Sequence, residues 1–133
     1  KKIIYKFVYF LMQMITFALV NNYISFLIMK RKTIKLLQLI KRKVLEINPN
    51  AQILLYGSRA RGTEHTESDW DLLILLDKDK IENSDFDQIS YPIVELGWKE
   101  GEQFSPKLYT MKDWMQRSFT LFYKNIEKEG IIL

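Results

Sequence analysis

Two apolar runs constrain this chain most: AQILLYG at 51–57 and DWDLLILLD at 69–77. Each is too short for a packed helix. Their Leu and Ile content and the glycine that closes the first read as buried strands. Upstream, Ile34, Leu37, Ile40, Val44 and Ile47 recur at helical spacing between lysines and arginines, predicting a helix over 30–47 with one buried stripe. Asn48-Pro49-Asn50 stops it. Downstream, Phe86, Ile89, Ile93, Leu96 and Trp98 predict a helix over 84–98 that kinks or breaks at Pro92. A third strand is expected within 103–109, where Pro106 demotes it to an edge or a bulge. Thr110, with Asp113 three residues on, opens a last helix to about Glu129 that buries Trp114, Phe119, Phe122 and Ile126, and Gly130 ends it. The order α-β-β-α-β-α gives an α/β (α+β) sheet with helices packed on it, in one domain over 30–133.

The segment before that domain is unusual. Residues 7–29 carry no charge, lysines precede them, and Lys30-Arg31-Lys32 follows. A run this long can span a bilayer. Gln13, Asn21, Asn22 and Ser25 make insertion marginal. Met29 looks like an ordinary start, and the Lys, Ile, Asn, Tyr and Phe before it resemble translated AT-rich noncoding sequence. Residues 1–29 are therefore expected to be an over-extended start. A membrane anchor and a helix packed on a partner are the competing readings.

Charge narrows the substrate. The chain carries +4, but residues 1–29 hold three lysines and no acid, so residues 30–133, with 17 basic and 16 acidic side chains, carry only +1. A general nucleic-acid binder shows a broad basic field. No extended nucleic acid is expected here, and a small-molecule or protein substrate fits better. With no cysteine, disulfides, zinc–thiolate sites and thiol nucleophiles are excluded, which suits a cytoplasmic setting.

The chemistry lies in LYGSRARGTEHTESDWDLLILLD, residues 55–77. Gly57 and Ser58 follow the first strand at once. Glycine lets a ligand approach the backbone, and the turn offers N–H groups and a hydroxyl to a phosphate. Arg59 and Arg61 can each match phosphate oxygens. Ten residues after Ser58 come Asp69 and Asp71, whose i, i+2 spacing on a strand puts both carboxylates on one face, about 7 Å apart at the backbone. Such a pair suits Mg²⁺ shared with substrate phosphates. Trp70, between them, points the other way into the core. His65, Glu64 and Glu67 are expected to be solvated loop residues, and Asp77, Asp79, Glu82, Asp85 and Asp87 a solvated acidic surface.

This Gly-Ser, ten-residue, Asp-x-Asp pattern resembles the polymerase-β-like nucleotidyltransferase superfamily, especially its minimal prokaryotic members, some of which act as antitoxins beside HEPN-type toxins. The resemblance covers residues 30–133, with its specific motifs in 57–71. It implies a small mixed β-sheet with flanking helices and transfer of a nucleoside monophosphate, usually AMP from ATP, to a hydroxyl. Gly57 and Ser58 would hold the triphosphate, and Asp69 and Asp71 would bind Mg²⁺. A HEPN-type toxin or a second copy of the chain would complete so short a protein.

The family also places a third carboxylate on a later strand. That strand, QFSPKLYT at 103–110, contains no acid; Ser105 or Lys107 falls near the expected position, and Glu102 or Glu95 lies out of frame. Without a general base, transfer can slow by roughly 10²–10⁴. The competing function is therefore a nucleotidyltransferase-fold protein that acts by stoichiometric binding.

Overall fold

The computed structural model describes residues 1–65 and 67–133, with the side chains of 22 and 25–30 left out of the account. Asn22, Ser25 and Met29, which bear on the reading of the amino-terminal segment, thus lie outside the described side chains. Helix α1 runs Lys2–Ile47. Lys1–Leu37 form one compact unit and Gln38–Leu133 a second. In the first, Lys2–Asn21 are apolar and solvent-exposed, long enough to cross a bilayer by length and composition. The expected stripe is partly present: Ile34 is exposed, whereas Leu37 is buried.

The second unit is built on a four-stranded sheet in the order β3-β2-β1-β4. Its strands are β1 (Gln52–Tyr56), β2 (Trp70–Leu76), β3 (Phe104–Thr110) and β4 (Ile131–Ile132). β1 pairs antiparallel with β2 and with β4, and β2 pairs parallel with β3, so the sheet is mixed. Both central runs are strands as the sequence predicts. β3 is an edge, which accommodates Pro106 without a lost ladder bond on its free side. β2 is covered on both faces: Leu72, Leu73 and Ile74 are fully buried, each contributing about 1.5–3 kcal/mol by leaving water.

Helices flank the sheet. Two short turns, α2 (Ser58–Arg61) and α3 (Asn83–Asp85), are followed by a π-helical turn (Phe86–Ser90) and α4 (Tyr91–Lys99). The break expected near Pro92 takes this form: the backbone stays helical through Ser90 and Tyr91, and the wide π-turn directly precedes the proline. Ile89 and Ile93 are buried, but Trp98 is exposed, because α4 has reached its last turn. Asp85 departs from the solvated reading of the acidic run. It is buried, and its carboxylate accepts from Lys78 Nζ at 2.8 Å and from the Glu82 N–H at 2.7 Å.

The last predicted helix is two helices, α5 (Met111–Gln116) and α6 (Leu121–Glu129). Thr110 caps the first, accepting from the Asp113 N–H at 3.0 Å. Thr120 caps the second, accepting from the Tyr123 N–H at 3.2 Å. The break turns Phe119 out to solvent, against expectation, and lets Trp114 and Ile126 bury against Tyr56, Leu73 and Leu75 on one face of the sheet. Thr120→Ala should lower stability by about 1 kcal/mol, the ordinary value of a lost cap, visible as a lower urea midpoint at unchanged slope.

Candidate active site

Strand pairing decides which side chains share a face. Directly opposed residues point the same way, and β1–β2–β3 align Tyr56 with Asp71 and Asp71 with Ser105. One step along, Leu54, Leu73 and Lys107 align. Alternation adds Asp69 to this face and sends Trp70, buried, to the other. Thus Asp69, Asp71, Ser105, Lys107 and Tyr56 share the sheet face that α5 and α6 cover farther along.

Gly57 closes the site from the end of β1. Its φ of 76° lies in the left-handed region that L side chains rarely adopt. A Cβ at this position would collide with Asp71 Oδ2. The backbone at the Gly-Ser turn therefore stands directly against the carboxylate. Ala60 and Arg61 N–H groups close on the Gly57 carbonyl, both at 3.1 Å, which leaves the first N–H groups of this turn without intrahelical partners. The arrangement offers amide donors beside a carboxylate pair, the combination a metal-bound phosphate needs.

The electrostatics agree. Burial, and then the Asp69 charge, raise the Asp71 carboxyl above its ordinary range, while Lys107 and Arg61 pull it back down. Two carboxylates sharing a half-buried site carry a repulsion that a bound cation relieves. Burial, with the charge of Asp71 next, pushes Tyr56 up to about 12, so its phenol stays protonated beside the pair. Ser105 Oγ reaches toward Asp69 Oδ2 at 3.4 Å. The donor set fits one Mg²⁺: two carboxylates on one face, with the Gly57 backbone directly against one of them. Among the described residues, no cluster of three or more His, Cys, Asp or Glu stands ready for metal.

The two arginines differ. Arg61 pairs with Glu129 at 3.1 Å on the half-exposed rim, and its charge is felt at Asp71. Arg59 lies on the Trp70 side instead. Its guanidinium donates to the Ser68 carbonyl at 2.8 and 3.2 Å and stacks 4.4 Å above the Trp70 ring. In this arrangement it clamps the loop onto β2. Glu102 is held on that same side, accepting from Trp70 Nε1 at 2.8 Å, so it does not join the aspartates. His65 is exposed in the loop, as expected. Sequence reasoning missed Tyr56 and Glu129. The strand pairing that puts Tyr56 opposite Asp71 was readable from alternation once β1 and β2 were taken as neighbours; nothing in the sequence signalled the Arg61–Glu129 pair.

A solved structure, a toxin–antitoxin complex with AMP-PNP, is similar to this chain at 21% identity and a TM-score of 0.47, over 70% of this chain and 68% of that one. No curated protein matches. The model of the nucleotidyltransferase domain family matches residues 37–133, which hold the whole sheet, the Gly57–Ser58 turn and both aspartates. The chain therefore belongs to the nucleotidyltransferase domain family.

Proposed function

We propose that this protein is a cytoplasmic, Mg²⁺-dependent nucleotidyltransferase that moves AMP from ATP to a hydroxyl on a protein or small molecule. One observation carries the reading: Gly57 has no side chain where the Asp71 carboxylate comes against the backbone, so a triphosphate can reach amide donors and carboxylates together. Asp69 and Asp71 would hold Mg²⁺, which neutralises phosphate charge and orients the oxygens for in-line displacement. Gly57 and Ser58 would hold the triphosphate, and Arg61 would face it from the rim. The acceptor oxygen attacks the α-phosphorus, the bond to the β-phosphate oxygen breaks, and pyrophosphate leaves with the electron pair. The hydroxyl proton passes to water. A toxin partner of HEPN type, or a second copy of the chain, rests on the resemblance in 57–71.

Calorimetric titration of the full chain with a non-hydrolysable ATP analogue tests the reading. Binding that requires Mg²⁺ supports it, and absence of binding with any divalent ion overturns it. The missing third carboxylate favours a second reading, in which nucleotide binds without transfer and the protein works by stoichiometric association. Pyrophosphate release in the presence of acceptor separates the two.

A further inference from the structure

The strand that should supply a third carboxylate supplies a neutral and a cationic side chain instead. Ser105 stands directly opposite Asp71, and Lys107 is the next residue of β3 on the same face, opposite Leu73. The Lys107 ammonium rests 4.8 Å from the centre of the Phe122 ring. That ring packs edge-on against Tyr56 at 5.5 Å, and Tyr56 is the residue paired with Asp71. The cation–π contact holds the exposed Lys107 side chain on the aspartate face of the sheet. Among the described residues, Lys107 forms no salt bridge. Its charge is nonetheless felt at Asp71.

Charge balance gives this placement a meaning. Among the described residues, this face presents two carboxylates beside the Lys107 ammonium and no third carboxylate to hold a second divalent ion. We propose that the site holds one divalent cation and that the Lys107 ammonium supplies the second positive charge, directed at the phosphate undergoing transfer. Phe122 is then a positioning residue for Lys107. The inference rests on the nucleotidyltransferase reading of Asp69 and Asp71, and it departs from the two-ion clamp used by polymerases.

The test counts ions. The full chain is saturated with a non-hydrolysable ATP analogue and Mn²⁺, and protein-retained Mn²⁺ is measured by equilibrium dialysis and electron paramagnetic resonance. One Mn²⁺ per chain with an uncoupled spectrum is expected. Two Mn²⁺ with the exchange coupling of ions roughly 3.5–4 Å apart would overturn the inference and leave the nucleotidyltransferase reading standing. No retained Mn²⁺ and no analogue binding would overturn both. Lys107→Ala should weaken analogue binding about 10- to 100-fold, the value of a charge-assisted hydrogen bond, with the Mn²⁺ count still at one. Lys107→Arg should recover most of that loss. Analogue affinity unchanged in Lys107→Ala would remove Lys107 from the site.

Discussion

Replacing both Asp69 and Asp71 with Asn will abolish Mg²⁺-dependent nucleotide binding, with affinity falling by more than about 100-fold. Loss of a group that merely supports a metal ligand typically costs 10- to 100-fold in metal affinity, and here the ligands themselves are removed. Asparagine keeps shape and hydrogen bonding, so the fold will survive. The single variant Asp71→Asn carries a second, opposite consequence. Burial and Asp69 raise the folded-state pKa of Asp71, so the folded protein binds this proton more tightly than the unfolded chain does. Stability then falls as pH rises from the unfolded value, about 3.9, through the folded one, and the whole penalty is present above it. Without metal, Asp71→Asn should therefore melt higher than the parent protein at neutral pH, and the advantage should vanish below the unfolded pKa. With Mg²⁺ and nucleotide the order should reverse, because only the parent gains stability from binding. A lower melting temperature for metal-free Asp71→Asn at neutral pH would contradict this account of the site.

Much of this was legible because strands announce themselves by local pattern. The two apolar runs, the Gly-Ser turn and the i, i+2 aspartates are all short-range features, and alternation alone put Trp70 in the core and both carboxylates on one face. What failed depended on distant partners. The helix expected from Thr110 to Glu129 breaks after Gln116 because Thr120 offers a second cap, a signal that helical periodicity masks. Helical spacing places Phe119 and Trp98 in the core, yet each lies at or beyond a helix end, where the stripe leaves the sheet. The two-residue strand β4 is too short to carry a period at all. Asp85 was hidden in an acidic run, since composition cannot show that Lys78 covers one member of it. At the site, Ser105 and Lys107 were both plausible occupants of the third position, and strand register was needed to align Ser105 with Asp71 and Lys107 one step beyond. Arg59 shows a placement that sequence pattern does not give, for a basic residue beside a phosphate turn can take partners elsewhere. A 4.4 Å stack on Trp70 and two bonds to Ser68 turn it to the other side of the strand.

Gly57→Ala will both destabilise the domain and close the nucleotide site. Two separate causes act at this position. A non-glycine residue at φ 76° carries a backbone cost of about 1–3 kcal/mol. The new Cβ also collides with Asp71 Oδ2, so the carboxylate must swing away from the face it shares with Asp69. For a domain of this size each kcal/mol lowers the melting temperature by about 4–8 °C. Placing the substitution in an Asp71→Ala background separates the two causes. The collision disappears because no carboxylate remains, while the backbone cost persists, so Gly57→Ala should cost less there than in the parent protein. The difference is the coupling energy of the pair, and residues in contact usually show about 0.5–3 kcal/mol. If Gly57→Ala cost the same in both backgrounds, the backbone at the turn would not press against the carboxylate, and the geometry on which the proposed triphosphate site rests would be wrong. Gly62 supplies the comparison. It too has a positive φ, 73°, but a Cβ there meets nothing within 4 Å, so Gly62→Ala should incur the backbone cost alone and leave nucleotide binding intact.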